Sequence, residues 1–154
     1  MEKLFIDLMR VNGYDGPLPA YQSEHAAGMD LYAHVTMTTE LRPGIVELIP
    51  TGVAVAIPSG YEGQVRPRSG LALNHAVTLV NAPGTIDADY RGEIRLPMIN
   101  LGKESFSITP HMRIAQLVVG PVSRVVWQET DELSETSRGG DGFGSTGVDT
   151  AADA

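Results

Sequence analysis

The sequence predicts an all-β fold of many short strands with one short helix. Seventeen Gly and ten Pro residues among 154 interrupt the chain often, which favours short extended segments over long helices. Several apolar segments alternate along their length, as strands with one buried face do. A chain of this length is also large enough to bury a sizeable core as a single domain.

Composition and charge argue against several classes of protein. The net charge of −8 is unsuitable for a nucleic-acid coat, which needs a basic surface. Cysteine is absent, so a disulfide framework and a thiol nucleophile are both excluded. No apolar run has the length of a membrane span, and the first residues lack a signal-peptide pattern. We therefore expect a cytoplasmic protein with no nucleic-acid or membrane partner.

Strands follow one another along the first half of the chain. They are predicted at residues 4–11, at 29–33, as a pair within 35–49 around a turn at 42–44, and at 52–57. In the last of these, the larger side chains share one face and the alanines share the other, which allows a second layer or another subunit to approach closely. Asp30 faces away from Leu31 and is either a solvated edge residue or a carboxylate that holds an Arg or a metal-bound water.

The best helix candidate is the short stretch around Leu71 and Leu73. Ser69 is a plausible N-cap, and the free N–H groups of a helix start, with Arg68 beside them, suit an anion. An ordinary capped turn with a surface Arg explains the same residues equally well.

A β-hairpin is predicted from the apolar runs at 77–80 and 94–98, which flank the turn-rich stretch 81–93. Such a tip can hold Asp87 and Tyr90 at the mouth of a pocket between the two arms. The alternative is a turn that is rich in Asp and Gly only because those residues suit turns.

The sequence of the last third of the chain predicts two strands, followed by a Gly-rich segment without them. Residues 113–119 place Gln116 on one face with its apolar neighbours, where a buried amide needs partners, and residues 121–127 form a last strand. Residues 1–128 therefore form the β domain, and residues 129–154 form a Gly-rich arm that is expected to be flexible without ligand. The arm lacks the Lys of a P-loop, so Arg138 and Phe143 suggest closure over a ligand instead.

Five separated segments together resemble the five motifs of the trimeric dUTPase family, the deoxyuridine triphosphate nucleotidohydrolases. Their order and spacing fit the family and cover nearly the whole chain. The segments are residues 27–33 (AGMDLYA), 67–72 (PRSGLA), 84–92 (GTIDADYRG), 113–117 (RIAQL) and 138–147 (RGGDGFGSTG).

The resemblance implies a distorted jelly roll and a homotrimer with active sites shared between subunits. It also implies Mg²⁺-dependent hydrolysis of dUTP to dUMP and pyrophosphate, which limits uracil in DNA and supplies dUMP. Asp87 matches the residue that activates the attacking water, while Mg²⁺ is held by the phosphates and waters, with Asp30 nearby and no direct protein ligand. The selectivity would come from Tyr90 under the sugar and from a hairpin backbone too close for a thymine methyl group.

The remaining site residues also follow from the resemblance. Asn81 would read the uracil edge and Phe143 would cover the base, and the set that binds substrate includes Thr85 and Gly144. The positions that would hold phosphates are Arg68, Ser69, Gly70, Gln116, Arg138, Ser145 and Thr146. Two alternatives stay open: a dCTP deaminase with a related fold, and a regulatory trimer that senses dUTP to control a partner.

Overall fold

The computed structural model describes residues 3–142, in which almost all regular structure is extended. The one helix of this part of the chain is α1 (Ser69–His75). The strands are β1 (Asp7–Arg10), β2 (Ala20–Tyr21), β3 (Met29–Tyr32), β4 (Thr39–Leu41), β5 (Val46–Pro50), β6 (Val53–Ala56), β7 (Tyr61–Pro67), β8 (Val77–Leu79), β9 (Gly84–Ile86), β10 (Arg95–Asn100), β11 (Phe106–Ile108) and β12 (Arg113–Pro121).

These strands pair antiparallel, in four sheets over the described residues. The largest has the order β2-β3-β12-β7-β9, and a second has the order β5-β10-β8. Two smaller pairs, β1-β6 and β4-β11, complete the set. The prediction of an all-β fold with one short helix is confirmed, and the fold is a distorted jelly roll.

One apolar core lies between these sheets. The alternation of side chains along the strands forms this core: Leu96 and Met98 are buried in β10, while Pro97 and Ile99, which alternate with them, are half-buried. The predicted large face at 53–57 is confirmed, although Ala54 of the small face is buried as well. The most buried core side chains are Leu31, Leu41, Ile94, Leu96, Met98, Ile108, Ile114, Val53 and Val77.

The strand pair expected within residues 35–49 is wrong in its pairing. Both strands exist, but β4 pairs with β11 and β5 pairs with β10, so they belong to different sheets. A bridge from Pro43 to Asn100 holds the turn between them. Alternation in a sequence reports which face of a strand is buried, whereas the partner is chosen by long-range packing.

Two predicted strand boundaries also differ from the structure. The first strand begins at Asp7 rather than at residue 4, and β12 ends at Pro121, so that the described residues after it include no strand at 122–127. Val126 and Trp127 are 91% and 89% exposed. A β-prone sequence forms a strand only where a neighbour supplies a hydrogen-bond ladder, and among the described residues the pairing of this stretch stops at the Val122 N–H, which donates to the Gly60 carbonyl at 2.9 Å.

The chain divides into two compact units, Met1–Ser123 and Arg124–Ala154. The first contains all the strands and the helix given above. The described part of the second, residues 124–142, consists of turns and irregular backbone, with local hydrogen bonds such as that from the Gly139 N–H to the Thr136 carbonyl at 3.1 Å. Across residues 3–142, none of the helical structure has the length and apolar character needed to cross a membrane.

The buried Tyr14 fastens the loop that follows β1 to the rest of the domain. Its hydroxyl donates to the Pro17 carbonyl at 2.7 Å, and its ring meets the edges of His34 and His111, with centroids 5.1 and 5.7 Å away. Gly52 lies against this ring at φ +70°, where a Cβ would overlap it. Burial raises the pKa of the Tyr14 phenol above its ordinary value of 10.0, and the Arg10 guanidinium acts in the opposite direction.

Asn100 joins three pieces of backbone at the end of β10. The side chain is fully buried, and its Nδ2 donates to the carbonyls of Leu41 and Glu104, both at 2.8 Å. Its Oδ1 accepts from the N–H of Gly102 at 2.8 Å. The amide therefore satisfies all three backbone groups without water.

We predict that Asn100→Asp lowers the free energy of unfolding by about 3 kcal/mol, because two buried carbonyls lose their donor. Urea denaturation at a fixed protein concentration measures this as a lower midpoint with an unchanged slope. The matched control is Asn74→Asp, at an exposed position in α1. Equal midpoints for the two variants would contradict the structural role of Asn100.

Candidate active site

Four of the predicted site residues, Asn81, Thr85, Asp87 and Tyr90, line one cavity of about 210 Å³. The cavity is smaller than the ~300 Å³ at which pockets for drug-sized ligands begin, so it suits part of a nucleotide rather than all of it. The rest of its lining is Val65, Leu79, Gly84, Ile86, Glu93, Ile94, Arg95 and Leu96.

The hairpin that carries this cavity is confirmed, but its tip differs from a simple turn. The arms β8 and β10 pair antiparallel, with Met98 opposite Leu79. Between them, β9 leaves the hairpin and pairs with β7 of the large sheet, with Val65 opposite Gly84. The loop is therefore held by two sheets at once, and Asp87 follows directly after the last residue of β9.

Hydrogen bonds within the loop fix the ring of Tyr90. The Tyr90 N–H donates to the Asp87 carbonyl at 3.1 Å, which closes a tight turn. The Tyr90 hydroxyl donates to the Glu93 carbonyl at 2.8 Å. A Cβ on Gly92 would overlap the phenol ring, so glycine is required beneath it. The Asp87 side chain stays exposed, where it can meet water and substrate.

A second group of predicted residues gathers around Asp30, which is only 7% exposed. Its two carboxylate oxygens meet Arg68 Nε at 3.1 Å and Arg113 Nη1 at 3.3 Å. Arg68 Nη1 also donates to the Arg113 carbonyl at 3.0 Å. Of the two interpretations of Asp30, the structure shows the carboxylate that holds arginines. Two guanidiniums against one carboxylate leave a local positive charge, which suits an anion.

Gln116 extends this group toward the start of α1. Its Nε2 donates to the carbonyl of Pro67 at 3.0 Å, next to Arg68 in the chain. A Cβ on Gly28 would lie 2.5 Å from Gln116 Oε1, so the first motif approaches this side chain closely. Ser69 and Gly70 are exposed at this junction of β7 and α1.

Two local predictions in this region are wrong. Arg68, not Ser69, is the N-cap residue of α1, and no side chain caps the helix. Gln116 shares its face with Val118 as predicted, but Ile114 is buried in the core with Ala115. The reason is a β-bulge between Arg113 and Ala115, which inserts one residue and reverses the alternation.

The described residues therefore contain two separate constellations. None of the residues that line the cavity belongs to the group around Asp30, although Val65 of β7 lines the cavity and Arg68 follows directly after β7. Arg138 lies in the second unit, where its Nε donates to the Asp141 carbonyl at 2.9 Å. The predicted site residues Phe143, Gly144, Ser145 and Thr146 lie outside the described residues.

Three residues near these groups were missed as site residues by reasoning from the sequence. Arg113 holds Asp30, and its place as the first residue of the fourth motif was an available signal. Glu93 and Arg95 line the cavity, but their charges are common at a strand start, and nothing local distinguishes them.

Comparisons with known proteins identify the family of the chain. The sequence model described as dUTPase matches residues 15–147. The deoxyuridine 5'-triphosphate nucleotidohydrolase of Rickettsia massiliae is 51% identical over 143 residues, which is 93% of this chain and 97% of the relative. The enzyme of the same name from Syntrophotalea carbinolica is 62% identical over 130 residues, which is 84% of this chain and 88% of the relative.

Solved structures lead to the same family. The dUTPase of Staphylococcus bacteriophage 80alpha with dUPNHPP superposes with a TM-score of 0.86 and 26% sequence identity, over 95% of this chain and 100% of that one. Its G164S mutant with dUpNHpp gives a TM-score of 0.85 at the same identity. The family model covers most of the chain, and the relatives share half or more of its residues over nearly their full length. The chain belongs to the dUTPase family.

Proposed function

We propose that the chain is a dUTP diphosphatase that cleaves dUTP to dUMP and pyrophosphate with a water activated by Asp87. The observation that carries this proposal is an exposed carboxylate placed at the end of β9, beside a cavity of nucleoside size. A general base must reach the water that it activates, and an exposed position at the cavity mouth allows this.

The cavity residues suit a uracil base. Asn81 carries both a donor and an acceptor, which can pair with the N3–H and a carbonyl of uracil. A Cβ on Gly84 would lie 3.1 Å from Asn81 Nδ2, so the backbone of β9 approaches this amide closely. A backbone this close to the bound base would leave no space for the methyl group of thymine. Thr85, the next residue of β9, lines the cavity as well.

The Tyr90 ring suits the role of a wall against the sugar. Tyr90 is held at both ends, because its backbone N–H donates to the Asp87 carbonyl and its hydroxyl donates to the Glu93 carbonyl. An aromatic ring against C2′ excludes a ribose hydroxyl by volume. Exclusion of a ribose hydroxyl in this way requires a ring that is held rigidly in place.

The group around Asp30 suits the phosphates. Arg68 and Arg113 are partly exposed, and a buried carboxylate fixes their orientation without neutralising both of them. Ser69, Gly70 and Gln116 would add hydrogen bonds at the same junction. Arg138, Ser145 and Thr146 of the arm would close over the phosphates, with Phe143 on the base and Gly144 between them.

Magnesium is proposed to enter with the nucleotide. Within residues 3–142, no group of three or more His, Cys, Asp or Glu side chains is arranged to hold a metal ion. Asp30 is already engaged by two guanidiniums. These residues suit a metal held by phosphates and waters, with Asp30 nearby. When bound, Mg²⁺ offsets the phosphate charge and fixes the phosphate geometry.

The chemical step follows from these placements. Asp87 accepts a proton from water, and the water oxygen attacks the α-phosphorus. The bond from that phosphorus to the oxygen bridging to the β-phosphorus breaks, and pyrophosphate leaves with the bonding electrons. The protein contributes mainly by positioning, since it holds both the Asp87 carboxylate and the phosphates of the substrate in place.

We further propose a homotrimer in which each site is shared between subunits. A site needs both the cavity and the cationic group, which are separate constellations within one chain. Val46 and Leu48 of β5 and Val80 after β8 are about half exposed on the sheet that carries the hairpin, and exposed apolar area of this kind suits burial by another subunit. Val126 and Trp127 would find a strand partner there too.

The remaining proposals concern the arm, the location and the alternatives. We propose a domain at 1–128 and an arm at 129–154 that closes over the nucleotide, in keeping with the Gly-rich sequence of the arm. A chain without cysteine also suits the cytoplasm.

The named relatives are nucleotidohydrolases, which favours hydrolysis over dCTP deamination. Pyrophosphate release measured across a panel of nucleoside triphosphates tests the assignment, and preference for any nucleotide other than dUTP would refute it.

Asp87→Asn should reduce turnover by about 10²-fold or more, because the amide cannot take the proton, while dUTP still binds. Pyrophosphate release and calorimetric titration with a non-hydrolysable analogue measure the two effects separately. Asp89→Asn is the matched control, since Asp89 is exposed in the same loop and lies outside the cavity lining. Near-normal turnover of the Asp87 variant would show that another group activates the water.

Tyr90→Ala should raise the ratio of kcat/KM for UTP to kcat/KM for dUTP by about tenfold or more, because the steric wall is removed. Tyr90→Phe should raise the ratio less than Tyr90→Ala does, because it keeps the ring but loses the hydrogen bond that holds the ring to the Glu93 carbonyl. An unchanged ratio in the alanine variant would make Tyr90 a packing residue only.

Two inactive variants should restore activity to each other if the sites are shared. One carries Asp87→Asn with an intact arm, and the other keeps Asp87 but ends before Arg138. Mixed trimers formed by co-refolding contain one subunit junction where an intact Asp87 meets an intact arm. Activity should therefore exceed the sum of the two preparations refolded alone. Native mass spectrometry establishes mixing, and mixed trimers without activity would contradict the shared site.

A further inference from the structure

We infer that Glu93 is a positioning residue whose buried carboxylate holds Tyr90 in place and thereby sets the discrimination against ribonucleotides. The inference rests on the role proposed for Tyr90 as the wall against the sugar. Its basis is the set of contacts that Glu93 makes with elements distant in sequence.

The Glu93 carboxylate is a junction of three elements. Its side chain is 9% exposed, and Oε1 accepts from the Gly52 N–H at 2.8 Å. Oε2 accepts from Asn12 Nδ2 at 3.0 Å and lies 3.4 Å from Arg95 Nε. The loop after β1, the turn between β5 and β6 and the start of β10 therefore converge on one acidic group.

Only an ionised carboxylate satisfies all of these partners, because each of them is a donor. A glutamine could accept from Gly52 with its oxygen, but its NH₂ group would then face the donors of Asn12 and Arg95. The partners are fixed themselves: Gly52 lies against the Tyr14 ring, and its carbonyl accepts from the Val11 N–H at 2.9 Å. The anchor of Glu93 is thus part of the rigid domain.

The link from this anchor to the cavity is short. Glu93 offers its backbone carbonyl to the Tyr90 hydroxyl at 2.8 Å, and Gly92 lies directly beneath the ring. A side chain pinned at three points fixes the position of its own carbonyl, and that carbonyl fixes the phenol. Release of the carboxylate lets the ring move outward, whereas Asp87 keeps its place through the pairing of β9 with β7.

The test compares Glu93→Gln, Glu93→Ala and Asn12→Gly with the unaltered protein, using kinetics on dUTP and UTP with Mg²⁺. Glycine suits position 12 because Asn12 has φ +54°. Both Glu93 variants should raise the UTP-to-dUTP ratio of kcat/KM by about tenfold, with kcat on dUTP changed much less. Asn12→Gly, which removes one contact, should give a smaller rise. Hydrogen exchange at the amides of residues 88–93 should be faster in all three.

The control is Asn100→Asp, which removes buried hydrogen bonds at the other end of β10 and involves neither Glu93 nor its partners Asn12, Gly52 and Arg95. A similar rise in the ratio for this control would reduce the Glu93 effect to general destabilisation and overturn the inference. An unchanged ratio in Glu93→Gln and Asn12→Gly, while Tyr90→Ala raises it, overturns the inference alone. An unchanged ratio in Tyr90→Ala overturns the proposed role of Tyr90 and the inference together.

Discussion

The hairpin arms β8 and β10 belong to one sheet, while β9, the strand between them, is hydrogen-bonded to another. This division of one loop between two sheets is the constraint on which the candidate site depends. It holds the loop to both sheets, and residues of both sheets line the cavity. It also explains how the carboxylate that we propose as the general base can be exposed and still well placed, since Asp87 follows directly after the last residue of β9.

The electrostatics of the chain are local rather than global. A net charge of −8 repels a triphosphate at long range, but two arginines and one buried carboxylate form a compact cationic group at the end of β7. Solvent ions screen distant charges within about 8 Å at physiological salt, so a net negative charge is compatible with the phosphate-binding role that we propose for this group. Asp30 acts here as an orienting partner, and its burial is possible because both of its oxygens are paired.

The buried face of a strand could be predicted from the sequence, whereas the strand with which it pairs could not. The alternation of Leu96 and Met98 identified a buried strand correctly, and residues that suit turns located the loop around Asp87. By contrast, β4 and β5 were assigned to each other because they are adjacent in sequence, although each pairs with a distant strand. The bulge that buries both Ile114 and Ala115 leaves no trace in the order of residue types.

The site shows the same limit. Motif positions located the cavity residues, but Glu93 was assigned no chemistry, since its partner Asn12 is 81 residues away. The separation of the cavity from the group around Asp30 was equally invisible, because spacing along a chain does not give distance in space. Contacts made by long-range folding are decided by the whole core and not by any local pattern.

The burial of Tyr14 makes the stability of the fold depend on pH. Its pKa is raised in the folded state above the ordinary value of 10.0, mainly by removal from water. The unfolded chain therefore releases the phenolic proton first as the solution becomes alkaline. The contribution of this group to stability is complete below the unfolded pKa and is lost as pH rises through the folded one. The loop that carries Tyr14 and Asn12 is therefore expected to be less stable in alkaline solution, and this loop is one of the supports of Glu93 beside the cavity.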